Sequence, residues 1–313
     1  MNTNEQRMVQ YGVWPNCCNT CKFCLRMERI PYDKETQLFW LDAIKRNINV
    51  IDWKDKFSFG ISLLGGELYY ITDEDLQCSF MELIDIIIDK ILRVSKNPNC
   101  KYSTVTNGIY NPSFLYKVID KIVDSVGIDK VDINFSYDFK YRFKSEEDSE
   151  LVLKNINEFH KRYNYMVSVQ MILTQYVINM WKNKKNLISS FIKEKIPGNH
   201  LSFLYPHPIH SGFDVPDFNF KRIDFLKFLS YLKHDCYNTY VSFMHSTKNS
   251  CIFKYTGLMG RIVSQVDYNQ QPVLTDGKEI LTECGHSELY RCYSDSDKCI
   301  LCDLKNLDKE IYL

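Results

Sequence analysis

Short apolar runs rich in β-branched residues alternate with longer segments of helical period along most of this chain, and this alternation limits its fold more than any other feature. Strands are predicted at Met8–Trp14, Phe57–Leu64, Tyr102–Thr106, Lys130–Tyr137, Met166–Thr174 and Leu201–Tyr205. Helices are predicted near 35–51, 73–96, 112–124, 146–163, 179–195 and 221–234. Because parallel strands need crossover connections, six such repeats predict an α/β chain in which helices cover a parallel sheet.

Six strands are fewer than the eight that close a complete barrel, so we expect a partial (β/α)6 TIM-like barrel with ligands at the carboxyl ends of its strands. The alternation weakens after about residue 240, which predicts two domains, 1–240 and 241–313. The second segment holds five cysteines and an Asp276-Gly277 hairpin signal. Its apolar content is low, so we expect a small extension that a bound metal stabilises.

Composition excludes several classes of protein. The 39 Lys and Arg residues balance the 39 Asp and Glu residues, which argues against a nucleic-acid partner or an anionic membrane. The sequence shows no signal-peptide pattern and no apolar run of membrane-spanning length, so a cytoplasmic location is expected. Thiols stay reduced there, and the 12 cysteines therefore indicate metal ligation more than disulfides.

Four cysteines fall within CCNTCKFC, residues 17–24, just after the first predicted strand. Counting from Cys18 gives C-x2-C-x2-C, the start of a bacterial ferredoxin run, but Glu28 stands where the next cysteine belongs. A zinc ribbon would need a second CxxC pair, which only the distant Cys299 and Cys302 supply. Counting from Cys17 gives C-x3-C-x2-C, in which three thiolates hold a four-iron cluster and leave one iron open to a ligand.

The second spacing resembles the radical S-adenosylmethionine (radical SAM) enzymes, whose hallmark is C-x3-C-x-aromatic-C after the first strand. Cys17, Cys21, Phe23 and Cys24 match it. Leu64-Gly65-Gly66-Glu67 matches the family's GGE element after the second strand, and Thr106-Asn107-Gly108 is similar to the TNG that often closes the third. The resemblance covers roughly residues 8 to 210.

This resemblance implies a catalytic centre. Cys17, Cys21 and Cys24 would ligate a [4Fe-4S] cluster whose open iron takes S-adenosyl-L-methionine, with Phe23 and Asn107 beside it. Gly65 and Gly66 would let backbone approach the cofactor, and Glu67 would accept hydrogen bonds from its ammonium group. Cys18 would be a bystander.

Further cofactor contacts are expected at the ends of later strands. Ser136 and Asp138 follow the fourth strand and could reach the ribose hydroxyls, and Gln170 on the fifth strand could do the same. Ordinary polarity at a strand end is the alternative interpretation of all three.

The cysteine-rich tail is similar to the auxiliary-cluster extensions called SPASM and twitch domains. Its candidate ligands are Cys251, Cys284, Cys292, Cys299 and Cys302. Four of these five would hold a second [4Fe-4S] cluster or a structural zinc ion. Too few cysteines are present for two auxiliary clusters.

The leading hypothesis is therefore a radical SAM enzyme that reductively cleaves its cofactor and abstracts a hydrogen from a peptide or small molecule. A reductant such as flavodoxin or ferredoxin is implied as a partner, with no membrane. One alternative is a zinc-stabilised binding module without catalysis. A second is a radical SAM enzyme acting on nucleic acid, which the neutral net charge disfavours.

Overall fold

A computed structural model describes residues 8–19, 21, 31–50, 60–204, 222–243 and 259–263 of the 313-residue chain. Its strands are β1 Met8–Gly12, β2 Gly60–Leu64, β3 Lys101–Thr106, β4 Val131–Ser136, β5 Ser168–Ile172, β6 Leu201–Leu204 and β7 Met259–Val263. Its helices are α1 Lys34–Val50, α2 Glu74–Ile87, α3 Ser113–Val126, α4 Glu146–Tyr163, α5 Gln175–Asn183, α6 Leu187–Lys195 and α7 Arg222–Asp235. Residues 237–243 are also helical. No helix in the described ranges combines the length and apolar character that a membrane crossing requires.

The strands lie in one open sheet in the order β6-β5-β4-β3-β2-β1-β7. Strands β1 to β6 are neighbours in chain order, which is the order of a barrel wall and not that of a doubly wound sheet. Pairing is parallel between β1 and β2, β2 and β3, and β5 and β6. The predicted α/β class and its six βα repeats are confirmed.

A seventh strand, β7, was not predicted. It pairs in parallel with β1, so the edge of β1 that does not face β2 is hydrogen-bonded as well. Residues 244–258 and 264–313 lie outside the described residues, and the domain boundary near residue 240 therefore stays a prediction.

The chain divides into two compact units. The first consists of Met1–Asn19, Glu28–Asn134 and Gly257–Lys278, and the second of Thr20–Met27, Phe135–Thr256 and Glu279–Leu313.

In the first unit, α2 shows how the apolar pattern produces the core. Its buried residues recur at helical spacing: Leu76, Phe80, Leu83, Ile84 and Ile87. The Asp73 side chain caps the amino end by accepting a hydrogen bond from the Leu76 N–H. The predicted helix over 73–96 ends as a π-helical turn at 88–92. That turn widens the helix while Ile88, Ile91 and Leu92 stay buried.

In the second unit, the single helix predicted over 179–195 is wrong. The Thr174 side chain accepts from the Val177 N–H and starts α5 four residues earlier, at Gln175. The chain then leaves helical geometry at Lys184 and re-enters it at Leu187. Residues 183–186 are all polar, so nothing in this stretch anchors a continuous helix to the core.

Candidate metal and cofactor site

The segment that leads to the cysteines runs beside the GGE turn. Beyond the β1–β2 ladder, the Val13 N–H donates to the Leu64 carbonyl at 2.7 Å. The N–H groups of Gly66 and Glu67 then donate to the carbonyls of Trp14 and Asn16, each at 2.7 Å. These bonds extend the parallel pairing past the ends of both strands. The cysteine loop therefore begins beside the GGE turn.

Gly66 is required by this close pairing. A Cβ atom built on Gly66 would lie 2.0 Å from the Asn16 carbonyl oxygen and 2.4 Å from that of Pro15. At Gly65 a Cβ would meet the flexible Leu68 side chain at 2.2 Å and the Trp14 oxygen only at 3.2 Å. The structure therefore gives Gly66 a role inside the fold, in addition to the close approach to a cofactor expected from the sequence.

Glu67 is 1% exposed, and its carboxylate ties β2 to β3. One oxygen accepts the Asn107 N–H at 2.6 Å, and the other accepts the Thr106 hydroxyl at 2.9 Å and the Tyr69 N–H at 3.4 Å. Burial raises the pKa of Glu67 to about 7, against the bonds from Asn107 and Thr106, which lower it.

The sequence did not predict that two hydroxyl groups, those of Thr106 and Tyr110, support the Glu67 carboxylate. The Thr106 hydroxyl donates to Glu67 and accepts the Gly108 N–H at 3.1 Å, and it shares a hydrogen bond with the Tyr110 hydroxyl at 2.7 Å. Thr106 belongs to the TNG element and could have been singled out on that ground. Tyr110 carries no sequence signal, because its contacts with Thr106 and Glu67 arise only in the folded chain.

Asn107 connects the carboxylate to the cysteine loop. It is 5% exposed, and its side-chain oxygen accepts the Ile109 N–H at 2.8 Å. Its side-chain nitrogen lies 3.4 Å from the Cys17 sulfur and 3.5 Å from the Cys18 sulfur. Cys17 and Cys18 therefore meet the GGE and TNG elements within the first unit.

The two adjacent cysteines have different surroundings. Cys17 is exposed, and its sulfur accepts from the Asn19 N–H at 3.4 Å as well as from Asn107. Cys18 is half-buried, and its single S–H has two acceptors within reach, the Ile109 carbonyl at 3.8 Å and the Asn107 oxygen at 3.7 Å. The neighbouring Cys17 sulfur, followed by burial, raises the pKa of the Cys18 thiol. Cys17 thus has the N–H donors that a thiolate needs, and Cys18 has acceptors that suit a protonated thiol.

The remaining predicted ligands are only partly described. Cys21 is buried, at 6% exposure, and none of the described cysteines forms a disulfide. Outside the described residues lie Phe23, Cys24, Cys251, Cys284, Cys292, Cys299 and Cys302. Among the residues that the structure does describe, no three His, Cys, Asp or Glu side chains are grouped as metal ligands.

In the second unit, the three predicted ribose contacts lie on neighbouring strands: Ser136 ends β4, Asp138 follows it and Gln170 is the middle residue of β5. The Tyr137 N–H donates to the Gln170 carbonyl at 2.8 Å, so Gln170 lies opposite the segment that carries Ser136 and Asp138. Ser136 and Gln170 are half-buried. Asp138 is 1% exposed, and one of its oxygens accepts the N–H groups of Lys140, at 2.7 Å, and Tyr141.

Asp138 therefore has a local task that the sequence interpretation did not include. Its carboxylate closes the turn that follows β4. Burial raises the pKa of Asp138 to about 6, although the nearby charges of Arg142 and Lys140 lower it.

Comparison with known proteins gives distant structural matches. No protein-family model matches the chain, and no curated protein does. Streptococcus suis SuiB bound to the precursor peptide SuiA is 15% identical, with a TM-score of 0.47, over 74% of this chain and 46% of SuiB. Native anSMEcpe with bound AdoMet is 18% identical, with a TM-score of 0.49, over 75% of this chain and 62% of that protein. The chain thus spans about half the length of SuiB and less than two thirds of anSMEcpe, and the likeness is one of general fold.

Proposed function

We propose that this chain is a radical S-adenosylmethionine enzyme in which Cys17, Cys21 and Cys24 hold a [4Fe-4S] cluster. The substrate would be a peptide or a small molecule that loses a hydrogen atom. Bound together, cluster and cofactor would supply one-electron cleavage of S-adenosylmethionine to a 5′-deoxyadenosyl radical.

One observation carries the proposal. Asn107 bonds to Glu67 through its backbone and to Cys17 through its side chain, although it lies 40 and 90 positions from them in sequence. GGE alone is a common turn pattern and TNG alone is a weak signal. Their direct hydrogen bonding, at the carboxyl ends of β2 and β3 where α/β folds bind ligands, supports a shared site.

The choice of Cys17 over Cys18 is supported by the donors around each sulfur. Thiolates ligate iron, and N–H groups stabilise the negative charge of a thiolate. Cys17 receives N–H groups from Asn19 and Asn107, whereas Cys18 receives only that of Asn107 and its own thiol also faces the Ile109 carbonyl. The C-x3-C-x2-C spacing is therefore favoured over the ferredoxin-like one that starts at Cys18.

We propose that Glu67 also accepts the cofactor ammonium. Its carboxylate already takes bonds from Asn107, Thr106 and Tyr69, and the Tyr110 hydroxyl bonds to it as well. The ammonium would replace the longest of these contacts, that from the Tyr69 N–H at 3.4 Å, while Gly65 and Gly66 would border the methionyl part. Ser136, Asp138 and Gln170 remain proposed ribose contacts, with Phe23 beside the cluster.

We also propose a metal site in the cysteine-rich tail. Four of the cysteines at 251, 284, 292, 299 and 302 would hold a second [4Fe-4S] cluster or a zinc ion. A flavodoxin or ferredoxin in the cytoplasm would be the electron donor. Nucleic acid is a disfavoured substrate, given 39 cationic and 39 anionic side chains.

Anaerobic reconstitution followed by iron and sulfide analysis tests this function. About four irons per chain are expected for one cluster and about eight if the tail holds another. A brown protein with broad absorbance near 400 nm accompanies either result. A colourless protein that takes up zinc but no iron or sulfide would contradict the enzyme proposal and favour the zinc-stabilised binding module.

A further inference from the structure

Asn107 is fixed in place by its own backbone and side chain. Its N–H donates to Glu67 at 2.6 Å, and its side-chain oxygen accepts the Ile109 N–H at 2.8 Å. An amide bonded in this way cannot turn without leaving a buried N–H unsatisfied. Asn107 is 5% exposed, so water does not readily replace either partner.

The fixed orientation directs the amide nitrogen toward the cysteine loop. Because the side-chain oxygen is held by Ile109, the two amide hydrogens are on the side of the sulfurs. The nitrogen lies 3.4 Å from the Cys17 sulfur and 3.5 Å from that of Cys18. Both distances are within the range of an N–H···S hydrogen bond.

We propose that Asn107 is a positioning residue that donates a hydrogen bond to the Cys17 thiolate and thereby raises the reduction potential of the cluster this sulfur would hold. The inference rests on the proposed function and gives Asn107 a more specific role than a general cofactor contact. Its side-chain nitrogen faces the cysteine sulfurs, and its side-chain oxygen accepts the Ile109 N–H and lies 3.7 Å from the Cys18 sulfur.

The direction of the effect follows from charge. Reduction adds one negative charge to a cluster and its thiolate ligands. An N–H donor to a ligand sulfur stabilises the more negative, reduced form more than the oxidised form. Removing the donor therefore shifts the reduction potential to a more negative value, whereas removing a purely structural contact leaves the potential in place.

The experiment compares Asn107→Leu with Asn16→Leu in the reconstituted full chain. Asn16 is a matched control because its amide also anchors the cysteine loop, by a reciprocal pair with the Tyr32 backbone at 2.8 and 2.9 Å. Asn107→Asp is the second variant, since it keeps the acceptor for Ile109 and removes the donor; its carboxylate also adds a negative charge that lowers the potential, so the shift in Asn107→Leu is the deciding one. Iron content, far-UV circular dichroism and a redox titration monitored by electron paramagnetic resonance are measured for each.

The expected result is a more negative potential in both Asn107 variants and an unchanged potential in Asn16→Leu. Loss of iron in both Asn107 variants, with native circular dichroism and full iron in Asn16→Leu, overturns the proposed tuning of the potential and assigns Asn107 to holding the cysteine loop. A wild-type potential in an iron-loaded Asn107 variant, or an equal shift in Asn16→Leu, overturns it and leaves the proposed function standing. A wild-type chain that takes up no iron and sulfide overturns both.

Discussion

Replacing Glu67 tests whether its carboxylate holds the ends of β2 and β3 together. Glu67→Ala leaves the Asn107 N–H without its acceptor in a site that is 1% exposed, whereas the Thr106 hydroxyl can turn to donate to the Tyr110 hydroxyl at 2.7 Å. An orphaned buried group costs about 1–3 kcal/mol, so the free energy of unfolding should fall by about 2 kcal/mol. The weaker contact from Tyr69 is left out of this estimate.

Glu67→Gln is the paired variant. Its amide oxygen still accepts the Asn107 N–H, and the Thr106 hydroxyl turns to donate to Tyr110, which leaves it an acceptor position for the new amide hydrogens. The amide also removes the buried charge whose desolvation raises the pKa of Glu67 to about 7. The free energy of unfolding should therefore fall by no more than about 1 kcal/mol. Glu82→Ala is the surface control, because Glu82 is 68% exposed and its ion pair with Lys45 is worth about 0–1 kcal/mol.

Urea unfolding of the reduced, metal-free chain at pH 8 measures the free energies. Hydrogen exchange of the peptide covering residues 104–110 reports the Asn107 N–H directly. It should lose protection in Glu67→Ala and keep it in Glu67→Gln. A loss below about 1 kcal/mol in the alanine variant, or equal losses in both variants, would refute the inferred role of the carboxylate.

The remaining predictions concern the GGE turn and the turn after β4. Gly66→Ala places a methyl group 2.0 Å from the Asn16 carbonyl and should lower the unfolding free energy in urea by about 1–3 kcal/mol. In Gly65→Ala the new methyl group meets only the flexible Leu68 side chain at such a short distance, 2.2 Å, so the unfolding free energy should fall less than in Gly66→Ala. An equal fall in both variants would contradict the argument that backbone atoms crowd Gly66. For Asp138, with a folded pKa raised to about 6, the folded chain binds the proton more tightly than the unfolded chain, whose pKa is near 4. As the pH rises from about 4 to about 6, the free energy of unfolding should therefore fall relative to that of Asp138→Asn. Parallel pH profiles of the two proteins would contradict this.

The fold was predictable because buried parallel strands and amphipathic helices leave strong local patterns. Helix α4 matches its predicted bounds, 146–163, since Ser145 caps it and buried residues recur along it. The predicted helix bounds were wrong where a local hydrogen bond sets the first residue of the helix, as Thr174 does for α5. Strand β7 escaped prediction because its place beside β1 depends on pairing between distant segments.

The residues of the candidate site could be predicted from the sequence, but the hydrogen bonds between them could not. The positions of Cys17, Glu67 and Asn107 came from motifs whose order along the chain fixes them at neighbouring strand ends. Their hydrogen bonds to one another, and the support from Thr106 and Tyr110, depend on three-dimensional contacts that spacing does not encode. The same holds for Gly66, whose missing side chain makes room for the backbone of residues 15 and 16.

Formation of 5′-deoxyadenosine by Cys17→Ala and Cys18→Ala, after anaerobic reconstitution and reduction, tests the central claim most directly. Cys17 has the surroundings of a ligand thiolate and Cys18 those of a protonated thiol. The account predicts that cofactor cleavage is abolished in Cys17→Ala and largely retained in Cys18→Ala. Cleavage that survives loss of Cys17, or that disappears with Cys18 alone, would contradict it.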